Sequence, residues 1–184
     1  MYKKGGHNMV ILENLGIRAI EIEDLPIIQK YRNDEGLRQY FREYREFSLT
    51  QKKDWYFKMI NDNRFEMFVI VDLDTDEVVG VTGITYIDWP NKHADVHFYI
   101  GKDSKWIDEK YSPTAIKLIL NYGFKTLNLN KLWAEIYEID SKKLNFFKSI
   151  GFEIDATLRE HYFHNGKYYS SHILSLLKND ANYE

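Results

Sequence analysis

Asp95 to Asn128 reads DVHFYIGKDSKWIDEKYSPTAIKLILNYGFKTLN, and the reading of this stretch decides the fold. Val96 to Ile100 is dense in β-branched and aromatic residues and predicts a strand. A charged loop follows. Ser112-Pro113 then opens a helix. Ser112 suits the N-cap, and Pro113 suits the first turn, where its missing N–H would be unpaired in any case. Ala115, Leu118, Ile119 and Tyr122 recur behind it at helical spacing. A strand that feeds a helix N-terminus through a polar loop presents free backbone N–H groups and the positive end of the helix dipole, which together suit an anion. The stretch therefore reads as a cradle for an anionic cofactor.

Outward from this stretch the period of the pattern changes twice. Upstream, Met67 to Val71, Val78 to Tyr86 and Ala94 to Gly101 alternate as strands around an acidic turn at Asp72 to Glu77 and a Pro90 turn, an antiparallel meander. Before the meander come short strands at Val10 to Leu12 and Ile17 to Ile20. A helix starts at Glu23-Asp24-Leu25-Pro26, a second helical piece spans Leu37 to Tyr40, and a third opens at Ser48 with Gln51 three residues on, the capping-box spacing. Trp55, Met59 and Ile60 are the expected buried face of that third helix. Downstream, Leu132 to Tyr137 is a strand that must run parallel to the one before the central helix, because a helix crossover joins them. Ser141 to Ile150 is a helix closed by Gly151, and Phe152 to Tyr162 with Tyr168 to Leu177 form a hairpin around Asn165-Gly166. Residues 1–8 read as a disordered leader, and 9–184 as one α+β domain with a mixed, mostly antiparallel central sheet flanked by helices on both faces.

Composition bounds the function. The chain has 184 residues, 44% hydrophobic and 29% charged, as in a soluble globular protein with a substantial core. A net charge of −3 argues against a general nucleic-acid binder. There are no cysteines, which removes disulfides, thiolate metal sites and a cysteine nucleophile. No apolar run reaches membrane-spanning length and MYKKGGHN lacks a signal-peptide core, so a cytoplasmic protein without a membrane partner is expected. No metal-ligand pattern, Ser/His/Asp nucleophile pattern or phosphate P-loop is present.

The order of elements, with several local patterns, resembles the GNAT superfamily of acyl-CoA-dependent N-acetyltransferases, closest to the ribosomal-protein N-terminal and nucleotide-amino-sugar acetyltransferases. The resemblance spans Ile17 to Leu177. It is carried by Ile17-Arg18 followed by Glu23-Asp24-Leu25-Pro26, by Tyr31-Arg32-Asn33-Asp34, by Ala94-Asp95-Val96 leading to Tyr99-Ile100-Gly101, by Ala115 to Leu120, by Ser149-Ile150-Gly151-Phe152, and by Leu158-Arg159-Glu160 followed by Asn165-Gly166-Lys167-Tyr168. It implies a GNAT-like fold, acetyl-CoA as donor and direct transfer to a primary amine; a homodimer is a separate expectation. Under it, Phe98, Tyr99, Ile100, Gly101, Lys105, Lys110, Tyr111, Ser112, Pro113, Thr114, Asp140, Lys143 and Phe147 are the expected donor contacts. Two departures stand out. The family's pyrophosphate loop follows Gln/Arg-x-x-Gly-x-Gly/Ala, whereas Ile107-Asp108-Glu109-Lys110-Tyr111-Ser112 has no glycine. Many relatives carry an Asn and a thiolate-protonating Tyr where this chain has Asp140 and Phe147.

Acetylation of an amine needs a base for the ammonium and an N–H donor for the developing oxyanion. A thiolate leaves readily, so a missing Tyr need not abolish transfer. Asp95 and His97, two apart on one strand and therefore on one face, are candidate bases, as is Glu138 at the end of the next strand. Tyr137 is a candidate acid. Each has a purely structural alternative as a packed aromatic or a hydrogen-bonded sheet residue. On the acceptor side, Arg32, Asn33 and Arg38 would hold a phosphate or carboxylate, Trp55 and Trp89 would stack, and Arg159 and Tyr168 would line the other wall. The expected acceptor is a small-molecule amine, an amino sugar or a nucleotide-linked amino sugar, with a protein N-terminus as the alternative. A non-catalytic GNAT-like binding protein is the reading from another class.

Overall fold

A computed structural model describes residues 2–4 and 7–181. In chain order it contains β1 (Tyr2–Lys4), β2 (His7–Leu12), β3 (Leu15–Ala19), α1 (Leu25–Asn33), α2 (Glu35–Arg38), α3 (Leu49–Met59), β4 (Glu66–Asp72), β5 (Glu77–Asp88), β6 (His93–Ile100), α4 (Ser112–Asn121), β7 (Lys131–Tyr137), α5 (Ser141–Ser149), β8 (Glu153–His164) and β9 (Lys167–Leu177). The disordered leader expected at residues 1–8 lies partly outside the described residues; where its backbone is described it runs as β1 and the start of β2.

Local chemistry explains the main boundaries. Asp24 accepts two hydrogen bonds from Arg18, at 2.6 and 2.8 Å, and one from the Glu21 N–H at 2.8 Å, which fixes the entry to α1. The capping box at α3 forms in both directions: Ser48 Oγ accepts from the Gln51 N–H, and Gln51 Oε1 accepts from the Ser48 N–H at 2.8 Å. Such a cap contributes about 1 kcal/mol. The buried face of α3 differs from expectation. Ile60 is 52% exposed, whereas Lys52 is 6% exposed beside Met59 at 7%. Gly151 ends α5 with φ +97°, a left-handed conformation that costs glycine nothing.

One sheet joins the strands in the order β1-β2-β3-β4-β5-β6-β7-β9-β8. Every pairing is antiparallel except β6 with β7, the pair that α4 bridges. That parallel contact is short. His93 to Asp95 face Lys131 to Trp133, and beyond Asp95 no β6–β7 pair forms among the described residues. β7 continues instead against β9 as far as Tyr137–Ser171. The sheet therefore splits, with β6 from Val96 to Ile100 on one side of the split and β7 from Ala134 to Tyr137 on the other.

Alternation on β6 sends Asp95, His97 and Tyr99 to one face and Val96, Phe98 and Ile100 to the other. α1 and α3 cover the first face over a cavity. α5 packs on the second, where Phe146 stacks on Phe98 with ring centroids 6.1 Å apart, and the π-helix Tyr122–Thr126 that continues α4 sets Gly123 close to Ile84 and Leu132. Gly101, at the end of β6, lets the Tyr31 ring of α1 press onto the backbone. A Cβ there would come within 2.1 Å of that ring, whose hydroxyl donates to the Val78 carbonyl at 2.7 Å. Among the described residues no helix is long and apolar enough to cross a membrane.

Candidate active site

Where the sheet splits, α1, α3 and the segment after α2 close over β4 to β7 and leave a cavity of about 300 Å³. Its walls are aromatic: Phe41, Phe47, Trp55, Tyr99, Trp106 and Tyr137 all face it. Phe41 is wedged edge-on against both Tyr99 and Trp106, at 4.9 and 5.0 Å between centroids. Edge-to-face aromatic contacts of this kind make a rigid wall.

The charged groups in the cavity fall into two sets. Arg42 spans the split: it ion-pairs with Asp95 of β6 at 3.2 Å and with Glu135 of β7 at 3.2 Å. Burial raises the Asp95 carboxyl above its ordinary range, opposed by Arg42 and Lys143. Glu135 Oε1 accepts no hydrogen bond, and the exposed His161 ring lies 3.6 Å away. The second set forms no ion pair among the described residues, although Glu43, which also lines the cavity, opposes the lowering of Arg32 by burial. Arg32 gives one N–H to the Glu43 carbonyl at 2.8 Å and stacks over Phe41 at 3.7 Å, but its Nη1 is buried without a partner. Lys52 Nζ sits over Trp55 at 4.4 Å and Phe47 at 5.1 Å. Burial, with Arg32 nearby, brings the Lys52 ammonium down to about 7. His97 is driven well below its ordinary value by burial and by Lys143, Arg32, Arg42 and Lys52, so it is held neutral.

The open edge of β6 presents backbone groups that a sheet would normally pair. The chain satisfies three of them itself. Ile100 exchanges two backbone hydrogen bonds with Trp106, at 2.8 and 2.9 Å. Lys143 of α5 reaches across the split to donate to the Phe98 carbonyl at 2.9 Å, with its ammonium 4.5 Å from the Trp106 ring. Trp106 Nε1 in turn donates to Asp140 at 2.6 Å, and Asp140 caps α5 by accepting from the Lys143 N–H at 3.1 Å. At α4 the expected Ser112 cap is corrected. Asp108 Oδ1 accepts from the N–H groups of Tyr111 and Ser112, at 2.9 and 3.0 Å, while Ser112 Oγ accepts from the Asp108 N–H at 2.9 Å.

Of the residues singled out from sequence, Asp95, His97, Tyr99, Tyr137, Arg32, Trp55 and Lys143 meet at this cavity. Phe98, Ile100, Asp140 and Phe147 lie at the split or beneath it, with Phe147 fully buried against Phe152. The others are placed elsewhere. Glu138 is exposed and accepts from the Ser170 N–H at 3.0 Å. Asn33 clamps both backbone groups of Phe47, and Arg38 pairs with Glu46 at 2.8 Å. Trp89 donates to the Asn63 carbonyl. Arg159 and Tyr168 are exposed on β8 and β9, away from the cavity lining. Lys110 is tied to the Tyr111 hydroxyl at 2.7 Å and to Asp72 at 3.4 Å; Thr114 donates to Glu13; Lys105 and Pro113 are exposed.

Arg42, Lys52, Trp106 and Glu135 were not singled out from sequence. For two of them the signal was present. Glu135 shares strand parity with Tyr137, and Lys52 shares a helical stripe with Trp55 and Met59. Arg42 and Trp106 sit in irregular segments whose path no local pattern predicts.

Comparison with known proteins places these features in a family. A family model described as an acetyltransferase (GNAT) domain matches residues 14–153. An uncharacterized N-acetyltransferase, p20, of Bacillus licheniformis is 28% identical over 172 residues, covering 91% of this chain and 95% of its own. The spermidine N(1)-acetyltransferase of Vibrio cholerae is 27% identical over 154 residues, covering 84% and 87%. A crystal structure of spermidine N-acetyltransferase from Vibrio cholerae, in complex with CoA and spermine, superposes with a TM-score of 0.84 at 26% identity, covering 91% of this chain and 97% of that one. Set against the acetyl-CoA that such enzymes use, the donor side of this chain does not fit as it stands, because the Tyr111 and Ser112 amides, the Phe98 carbonyl and both backbone groups of Ile100 are already bonded internally. The fold, the split sheet and the match over residues 14–153 nonetheless agree: the chain belongs to the GNAT acetyltransferase family and is an acetyl-CoA-dependent N-acetyltransferase acting on an amine.

Proposed function

We propose that the acceptor is a small primary amine that also carries an anionic group, of the amino-sugar phosphate or nucleotide-linked amino-sugar type. The observation that supports this is the pair of cavity cations that form no ion pair among the described residues, Arg32 with its buried Nη1 and Lys52. A buried donor left unpaired costs about 1–3 kcal/mol, which a phosphate or carboxylate oxygen would recover through charge-assisted hydrogen bonds. The aromatic walls suit the apolar face of a sugar ring. A polyamine, the acceptor named for the Vibrio cholerae relative, would bring further positive charge to the same pair.

In this reading the amine end lies toward Glu135. Its Oε1, free of hydrogen bonds, takes the proton from the ammonium, and His161 at 3.6 Å relays it to solvent. Arg42 holds Glu135 and Asp95 in place across the split, so that the two strands keep a fixed distance. His97, kept neutral, adds no charge against the incoming ammonium. Acetyl-CoA, when bound, supplies the acetyl group as a thioester. Self-association and a cytoplasmic setting belong to the same reading; sedimentation equilibrium tests the first, and fractionation of the source cells tests the second.

The test is a panel of amines with and without an anionic group, read by thiol release. Preference for the anionic members, lost in Arg32→Ala, supports the reading. Equal use of both sets, or preference for spermidine, removes it.

A further inference from the structure

We propose that the chain holds its own donor groove shut, with Lys143 and Trp106 closing the split between β6 and β7, and with Asp108 standing at the α4 N-terminus where the donor's pyrophosphate would lie. Lys143 and Asp108 are then residues that set donor affinity from the unbound side, which goes beyond the acceptor reading and does not depend on it.

The geometry supplies three separate contacts, each on a group that an extended thioester donor needs. The pantetheine arm of acetyl-CoA carries two amides, and amides dock on a strand by pairing with its free edge. The backbone groups on the free edge of β6 include the Phe98 carbonyl and the two backbone groups of Ile100. Lys143 Nζ holds the first at 2.9 Å, and Trp106 holds the other two. The Lys143 ammonium is not a surface group that happens to reach in. Burial brings it down to about 8 despite Asp140 and Asp95 nearby, and it packs on the Trp106 ring. Asp140 ties the two together, accepting from Trp106 Nε1 at 2.6 Å and from the Lys143 backbone at 3.1 Å. The third contact is Asp108, whose carboxylate satisfies the Tyr111 and Ser112 amides. A carboxylate there is an internal anion in direct competition with a phosphate.

The segment between these points is irregular, and its backbone leaves the conformations of strand and helix. Asp103, Ser104 and Trp106 all take positive φ, at 54°, 53° and 60°, without being glycine. Such conformations persist where the surroundings hold them. Releasing Lys143 and Asp108 would let the segment relax and free the β6 edge, so donor entry and loop opening are one event.

The experiment is titration calorimetry of the full chain with CoA and, separately, with pantetheine, which has the amides and no phosphates. Wild type is compared with Lys143→Ala and Lys143→Met, and with Asp108→Gly and Asp108→Asn. If the groove is self-closed, both Lys143 variants bind CoA at least tenfold more tightly than wild type and bind pantetheine more tightly too. The Asp108 variants tighten CoA by a similar factor and leave pantetheine unchanged. Circular dichroism confirms that each variant is folded; the two positions lie in different elements, so a variant lost to misfolding leaves the other arm to decide. Weaker CoA binding in the Lys143 variants would make Lys143 a donor ligand, and an unchanged dissociation constant at both positions would mean that the internal contacts do not oppose the donor. Either result overturns the proposal. Neither bears on acceptor preference, which is read with a different ligand.

Discussion

Replacing Lys52 by Met tests the cavity electrostatics at one atom. Lys52 is 6% exposed and its ammonium falls from 10.5 to about 7. At about 1.4 kcal/mol for each tenfold in affinity, that drop corresponds to a cost of about 5 kcal/mol for keeping the proton, as an order of magnitude. The sign follows from proton counting. Between pH 7 and 10.5 the unfolded chain still binds the proton and the folded chain has released it, so stability rises with pH across that window and is flat below it. Met keeps the stem length and the contact with Trp55 and Phe47 but has no charge to desolvate. Urea denaturation at pH 7 should therefore show Lys52→Met more stable than wild type by about 2–4 kcal/mol, with the gap closing by pH 10. The same variant should raise the acceptor Michaelis constant at least tenfold, because half of the anion-binding pair is gone. A variant less stable than wild type at pH 7, or a wild-type stability that does not climb between pH 7 and 10, would refute the reasoning, since the lysine would then be held by a partner and not merely tolerated.

Other outcomes follow from the same geometry. Arg32→Ala should raise the acceptor Michaelis constant tenfold or more while leaving the CoA dissociation constant within about twofold, measured by initial rates and calorimetry. Glu135→Gln keeps the shape of the Arg42 bridge and removes the base, so kcat should fall about 100-fold at pH 7 with acceptor affinity nearly unchanged, and the lost activity should be partly regained at high pH, where more free amine is present. Phe147→Tyr puts a hydroxyl into a fully buried site packed on Phe152, which should cost about 1–3 kcal/mol by chemical denaturation and change the transfer rate by less than about tenfold.

The fold was legible because its signals are local. β4, β5 and β6 announce themselves by alternation, α3 by its capping box, the hairpin by Asn165-Gly166, and the parallel β6–β7 pair by the helix that must bridge it. The candidate site was legible where a side chain follows from strand parity, as for Asp95, His97, Tyr99 and Tyr137, and at the helical positions Arg32, Trp55 and Lys143. Trp89, Arg38, Asn33 and Glu138 carry suitable chemistry but spend it on neighbours: Asn63, Glu46, Phe47 and Ser170. Nothing in composition or periodicity distinguishes a polar group that turns to its own backbone from one that faces a cavity. Arg42 and Trp106 show the converse. Both lie in irregular segments, and their roles arise only from tertiary closure over the split sheet. Lys52 sits between these cases. Its helical position pointed inward, but a lysine on a buried stripe is discounted unless a ligand is in view.

The most direct test of the account is a comparison of kcat/KM for three acceptors under identical conditions: glucosamine 6-phosphate, glucosamine and spermidine, with acetyl-CoA saturating and CoA thiol release as the signal. The phosphorylated amine should exceed the neutral sugar by at least 100-fold, spermidine should be the poorest of the three, and Arg32→Ala should collapse the first difference. Spermidine as the best acceptor, with Arg32→Ala leaving the order unchanged, would contradict the account.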